Sequence, residues 1–215
     1  MKEKHIPYYT VLESLNSKEC PICFLIKSRV EKYFETLLYE GINDIGFREK
    51  FNESRGFCNL HSHKFLNYHD GLAIAIVYRE VLANYLKEIS TNKYQYKNIS
   101  IHCMICHLVE GKQKEYISLI KEYLSDEEFK LAFEQSYGLC IPHYFAVYKI
   151  IENLPDWFKQ FHIKKYQNLF NTLDKYIKSC NASLGEKRPQ LSGDEELCWI
   201  SAVQSIVGFE GKEQD

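Results

Sequence analysis

Two kinds of four-residue hook, each met twice, constrain this chain more than any other feature. Cys20-Pro21-Ile22-Cys23 is followed by Cys58-Asn59-Leu60-His61, and Cys103-Met104-Ile105-Cys106 by Cys140-Ile141-Pro142-His143. The stretches between the hooks are 34 residues (24–57) and 33 residues (107–139) long, and six of the eight cysteines belong to the scheme. Self-similarity at a fixed period is the signature of a repeated structural unit. Other residues keep step with the hooks. Phe47 and Phe51 correspond to Phe129 and Phe133, and Ser54-Arg55-Gly56-Phe57-Cys58 to Ser136-Tyr137-Gly138-Leu139-Cys140. One single-residue gap between Leu38 and Asp44 aligns the two copies.

Apolar spacing between the hooks is helical throughout. Ile22, Leu25, Ile26, Val30, Tyr33, Phe34, Leu37 and Leu38 recur at steps of three and four, which places one face of a helix on a core. Met104–Leu124 repeats that pattern. Short helices are expected over 44–53, with Asp44 as N-cap, and after Ser125-Asp126-Glu127-Glu128, an N-cap signal with an acidic first turn. Further helices are expected over 8–17, 59–68, 72–89, 141–153 and 155–179. Residues 90–100 and 181–193 read as linkers. A final helix over 194–207 is expected to dock through Leu197, Trp199, Ile200, Val203 and Ile206. No stretch alternates as a strand does. The fold class is all-α: a single domain over 1–215 with pseudo-repeated helical units at 18–90 and 101–180 and a C-terminal helix at 194–208.

The chemistry follows from the hooks. Structural zinc is held tetrahedrally by thiolates and imidazoles from two short hooks. At the start of a helix, positions i and i+3 project from nearly the same face. Helix N-termini also favour thiolate, offsetting the net negative charge of three sulfurs on one divalent ion. Gly56 and Gly138, two residues before the third cysteine of each copy, suit a sharp turn at positive φ. One zinc is therefore expected per copy, held by Cys20, Cys23, Cys58 and His61 in the first and by Cys103, Cys106, Cys140 and His143 in the second. The alignment selects His61 over His63, because His61 matches His143 while His63 matches Phe145. His107 matches Phe24, and His5, His69 and His162 have no place in the scheme; each reads as an ordinary solvated or packed histidine.

The same cysteines admit other chemistry. Three cysteines and a histidine can ligate an iron–sulfur cluster, and a CxxC at a helix start can serve as a redox pair. Cys103-Met104-Ile105-Cys106-His107 also spells a c-type haem attachment string, but the first copy has Phe24 in place of its histidine. Cys180 and Cys198 lie outside the hooks and read as incidental thiols. Lys159, Lys164, Lys165, Lys175 and Lys178 read as a solvated basic face.

With 215 residues, 45% hydrophobic and 26% charged, the chain can bury a core of its own. A formal net charge of −2 gives no global attraction to nucleic acid or anionic lipid. The first residues lack an apolar export segment, and the longest apolar run, 72–78, is too short to span a bilayer. The expectation is a cytoplasmic protein with no membrane partner, in a compartment where CxxC pairs bind metal or do thiol chemistry rather than form structural disulfides. No phosphate loop, nucleophile elbow or HExxH string is present, so nothing points to an enzyme.

The pairing of CPxC with GFCxxH, its degenerate second copy, and the closing Cys198-Trp199-Ile200-Ser201-Ala202…Val207-Gly208 resemble an uncharacterised bacterial family, commonest among Firmicutes. That resemblance covers roughly residues 5–209 and implies a cytoplasmic, helical, metal-binding protein without an assigned activity. The chain departs from the pattern where Met104 replaces the helix-starting proline and Pro142 enters the second CxxH hook; neither change removes a ligand. The expected role is a zinc-stabilised interaction or regulatory module acting on a protein partner, through a groove between the units. The alternative is a thiol-based sensor or oxidoreductase using Cys20/Cys23 or Cys103/Cys106, and nucleic-acid binding comes third.

Overall fold

A computed structural model describes residues 4–91, 103–151, 153–181 and 190–209. The expected linkers at 90–100 and 181–193 lie largely outside these residues. Every regular element among the described residues is helical: α1 Ile6–Ser14, α2 Pro21–Thr36 with a π-turn over Leu37–Gly41, α3 Ile45–Glu53, α4 Asn59–Leu66, α5 Gly71–Thr91, α6 Met104–Tyr123, α7 Glu127–Gln135, α8 Ile141–Ile150, α9 Asp156–Asn181, α10 Gly193–Glu196 and α11 Cys198–Val207. The capping residues legible in the sequence do their expected work. The Asp44 carboxylate accepts from the Phe47 N–H at 2.7 Å, and that of Asp126 from the Phe129 N–H at 3.0 Å. Each supplies a partner for an N-terminal amide that the helix itself leaves unpaired.

The described chain forms two compact units, one from residues 26–114 and the other from 1–25 together with 115–214. In the 26–114 unit the core is aromatic. Phe34, near the end of α2, stacks on Phe65 at 5.3 Å and meets Phe57 edge-on at 5.6 Å. Phe51 is edge-on to both Phe57 (4.9 Å) and Tyr78 (5.2 Å), which ties α3 to α5. Such offset and edge-on pairs add to the apolar burial of the rings.

In the other unit Tyr8 of α1 packs on Tyr123 at 4.5 Å, and Lys4 bridges Asp126 and Glu128 just beyond the end of α6. Phe133 of α7 is surrounded by Trp157, Phe158, Phe161 and His162 of α9. Helix α11 packs on α8 and α9, but not through the face its apolar pattern suggests. Leu197, Trp199, Val203 and Ile206 are all more than half exposed, whereas Cys198, Ser205, Gly208 and Phe209 are buried. The small side chains of Cys198 and Ser205 turn inward, and Ser205 shares a 3.0 Å hydrogen bond with the Tyr137 hydroxyl. That polar bond, made by a buried serine, outweighs the hydrophobic period as a guide to orientation.

Candidate metal centres

All four hooks are built in one way. The first cysteine stands at the N-cap of a helix and the second ligand three residues on, in its first turn. The carbonyls of Cys20, Cys58, Cys103 and Cys140 each accept the opening helical hydrogen bond, from Phe24, Ser62, His107 and Tyr144 at 2.8–3.1 Å. Gly56 and Gly138, on the approach to the CxxH hooks, have φ of 99° and 72° as expected. A Cβ at Gly138 would lie 2.5 Å from Cε1 of Phe161, so the turn needs glycine for space as well as for φ.

The hooks meet in a different pairing from the one expected. Cys20 and Cys23 converge with Cys140 and His143, while Cys58 and His61 converge with Cys103 and Cys106; within each group the ligand atoms lie within 4.8 Å of one another. Each CxxC thus takes the CxxH of the other copy, and one closure is nested inside the other. Each group lies within one of the two compact units, Cys20, Cys23, Cys140 and His143 in one and Cys58, His61, Cys103 and Cys106 in the other. In the 26–114 unit Phe57, next to Cys58, packs on Phe34 of α2. Meanwhile α1, lying against Tyr123 at the far end of α6, delivers Cys20 and Cys23 to where α7 delivers Cys140. Closing 117 residues instead of about 35 costs only about 1 kcal/mol more chain entropy. That is too little to oppose the packing.

The donor geometry fits a tetrahedral ion. Nδ1 of His143 lies 3.4, 3.3 and 3.2 Å from the sulfurs of Cys20, Cys23 and Cys140, and the Cys23 and Cys140 sulfurs are 3.8 Å apart. Nδ1 of His61 lies 3.3, 3.6 and 3.7 Å from Cys58, Cys103 and Cys106, and Cys106 is 3.6 Å from Cys58. A tetrahedron with metal–sulfur bonds of 2.3 Å and metal–nitrogen bonds of 2.0–2.1 Å has edges of about 3.8 Å (S···S) and about 3.6 Å (S···N). An imidazole nitrogen has one proton or one lone pair, so it cannot hydrogen-bond three sulfurs at once. Three equivalent approaches to one nitrogen are the signature of a shared centre. Both groups can hold a metal ion.

The thiols respond to this crowding in a consistent way. Burial pushes Cys20 well above its ordinary value, and Cys23 is pushed up to about 12, chiefly by its hydrogen bond with Cys140. Cys140 falls far below its ordinary value because Cys20 and Cys23 donate to it. In the other group burial raises Cys58. At Cys103 burial also opposes ionisation, but hydrogen bonds from His61 and from the Cys58 and Cys106 backbones overcome it and bring Cys103 down to about 6. One thiolate in each group, Cys140 or Cys103, is favoured while Cys20, Cys23 and Cys58 resist ionisation; coordination deprotonates such thiols outright.

Several residues outside the hooks support the Cys140 group. His162, 2% exposed, accepts the Leu139 N–H through Nε2 at 3.1 Å and contacts the Phe158 carbonyl through Nδ1 at 2.8 Å. A backbone N–H only donates and a carbonyl only accepts, so the proton resides on Nδ1. The Leu139 carbonyl accepts from Lys165 at 3.0 Å and from Tyr166 at 2.6 Å, and the Lys165 ammonium sits 3.7 Å from the Tyr137 ring centroid. Burial lowers Lys165 to about 8, opposed by the negative charge of Cys20, Cys140 and Cys23. Lys165 is thus no part of the solvated basic face, whereas His162 is a packed histidine, as expected, that also braces Leu139. Their i, i+3, i+4 spacing with Tyr166 on α9 was the available signal. His63 and His107 are exposed and lie outside both groups, as do Cys180 and Cys198.

A family model described as "Family of unknown function (DUF6062)" matches residues 1–184, which include all eight hook ligands. The chain belongs to this family. The resemblance drawn from the hooks therefore holds. The "uncharacterized 23.9 kDa protein in xynA 3′ region" of Caldicellulosiruptor sp. (strain Rt8B.4) is 25% identical over 205 residues, which cover 92% of this chain and 99% of that protein. No solved structure matches the DUF6062 chain. No helix among the described residues is long and apolar enough to cross a membrane.

Proposed function

We propose that this DUF6062 protein is a zinc-stabilised helical module that works by binding a protein partner. Cys20, Cys23, Cys140 and His143 would hold one zinc, and Cys58, His61, Cys103 and Cys106 a second. The observation that carries the reading is the approach of three sulfurs to a single imidazole nitrogen at 3.2–3.7 Å in both groups. Three thiolates and one imidazole suit zinc, and four protein donors fill a tetrahedral shell without an open position for a reacting water. The metal would contribute folding free energy by joining segments far apart in sequence. An interaction role is supported by α11, which turns Trp199, Val203 and Ile206 outward; a cytoplasmic location belongs to the same reading.

Elemental analysis and native mass spectrometry of the purified chain test it. Two zincs per chain, with hook thiols that alkylate only after chelation, are expected. A metal-free protein with a reversible two-electron thiol couple would instead establish the redox alternative.

A further inference from the structure

The two groups share a donor set but differ in access and in the charge around them. In the first, Cys20, Cys140 and His143 are 0% exposed and Cys23 is 4% exposed. In the second, Cys58 is 8% exposed and Cys106 is only partly buried. The shells differ as well. Leu139, just before Cys140, is held at both of its backbone groups, the N–H by His162 and the carbonyl by Lys165 and Tyr166, so a cation stands beside the sulfurs. The Tyr137 and Phe209 rings, edge-on at 5.2 Å, complete that wall. At the second group the corresponding carbonyl, of Phe57, accepts from Ser62 at 3.0 Å, and Ser62 accepts from Tyr78 at 2.7 Å. These partners are neutral. Counting from Cys58 as Lys165 counts from Cys140 arrives at Ala83.

We propose that the groups divide the work: Cys20, Cys23, Cys140 and His143 keep their metal permanently, whereas Cys58, His61, Cys103 and Cys106 form an exchangeable site that opens through Cys106. This rests on the zinc reading above and adds the regulation of one of its sites. Three thiolates and one imidazole around a divalent cation leave a net charge of −1. An ammonium beside that charge stabilises it, and closed walls deny an entering ligand its path; outer-shell contacts and solvent access are the means by which a protein tunes a bound metal. At the second site an entering multidentate chelator takes the place of the Cys106 thiolate, which leaves with its electron pair and takes a proton from water. No oxidant or reductant is involved. The second site thereby fits reversible metal transfer to small chelators or other thiol-rich acceptors.

The test follows zinc release from the full-length, two-zinc protein into excess of a chromogenic pyridylazo chelator. In parallel, timed iodoacetamide alkylation is mapped by peptide mass spectrometry. Release is expected in two phases of one equivalent each, at least about tenfold apart, with Cys106 alkylated first among the six hook cysteines. Cys106→Ser should abolish the fast phase and keep the slow one. Lys165→Met should accelerate the slow phase about tenfold, and Lys165→Arg should restore it. A single phase from the two-zinc protein, or first alkylation at Cys20, Cys23 or Cys140, overturns the division, and a slow phase unchanged by Lys165→Met overturns the part given to that lysine. The alkylation order is read on the unaltered protein, so misfolding of a variant does not decide it. A protein that binds no zinc at all overturns the preceding functional reading as well.

Discussion

The nested pairing makes a sharp stoichiometric prediction. Consider two double variants, Cys20→Ser with Cys140→Ser and Cys20→Ser with Cys58→Ser. The first pair falls in one group and the second is split between the two. The same-group double variant should keep about one zinc per chain, and the split one should keep none; pairing within each sequence copy would reverse the two outcomes. Energetics give an independent reading. Zinc sites of this kind contribute about 10–16 kcal/mol in peptides at neutral pH, as much as the about 5–15 kcal/mol that holds a whole domain together. Losing either site should therefore unfold the unit that contains it. In urea titrations at buffered zinc, the second same-group substitution should add less than about 1 kcal/mol to the first, because the metal has already gone. Substitutions split between groups should add to within about 0.5 kcal/mol. Native mass spectrometry reads the first quantity and the urea midpoints the second. A same-group double variant without zinc, alongside a split variant that retains one, would refute the nested pairing.

Three further expectations come from single positions. Gly138→Ala combines φ of 72° with a Cβ 2.5 Å from Phe161, so strain of about 1–2 kcal/mol and overpacking of about 1–3 kcal/mol should add. Gly71→Ala, with open space around it, should leave the urea midpoint nearly unchanged or slightly raised. His162 is brought down to about 4, first by burial. The unfolded chain thus binds a proton that the fold refuses, and stability should fall as pH drops from about 6.5 to about 4, by up to about 3 kcal/mol. The His162 ring resonance should titrate near pH 4, and His162→Gln should remove this part of the pH dependence. Ser205→Leu forces a large side chain against Tyr137 and should cost about 1–3 kcal/mol, whereas exposed Trp199→Ser should stay within about 0.5 kcal/mol by thermal melting.

Much of the local structure was legible because local rules govern it. Asp44 and Asp126 cap the helices their positions foretold, and Gly56 and Gly138 take positive φ where the chain turns into a hook. The hook ligands also take the N-cap and first-turn places that the CxxC and CxxH spacings imply. Besides the hook pairing, two readings failed where longer-range contacts decide. Helix α11 buries Cys198 and Ser205 in place of its large apolar residues, because Ser205 finds a polar partner in Tyr137, 68 positions away. Lys165 looked like one of several solvated lysines, yet it reaches the Leu139 carbonyl and the Tyr137 face.

By itself the sequence determined an all-helical chain and the eight side chains that gather into two groups able to hold a metal ion. Both follow from short-range geometry, the i, i+3 spacing at a helix start and the three- and four-residue hydrophobic steps, which needs no knowledge of distant neighbours. It could not say which hook meets which, since either CxxC can complete a tetrahedron with either CxxH. Tertiary structure decided that. Tyr8 of α1 packs on Tyr123 in the unit that holds Cys20, Cys23, Cys140 and His143, while Phe34, Phe57 and Phe65 pack in the unit that holds Cys58, His61, Cys103 and Cys106, so each hook closes on the partner that packing within its own unit brings to it.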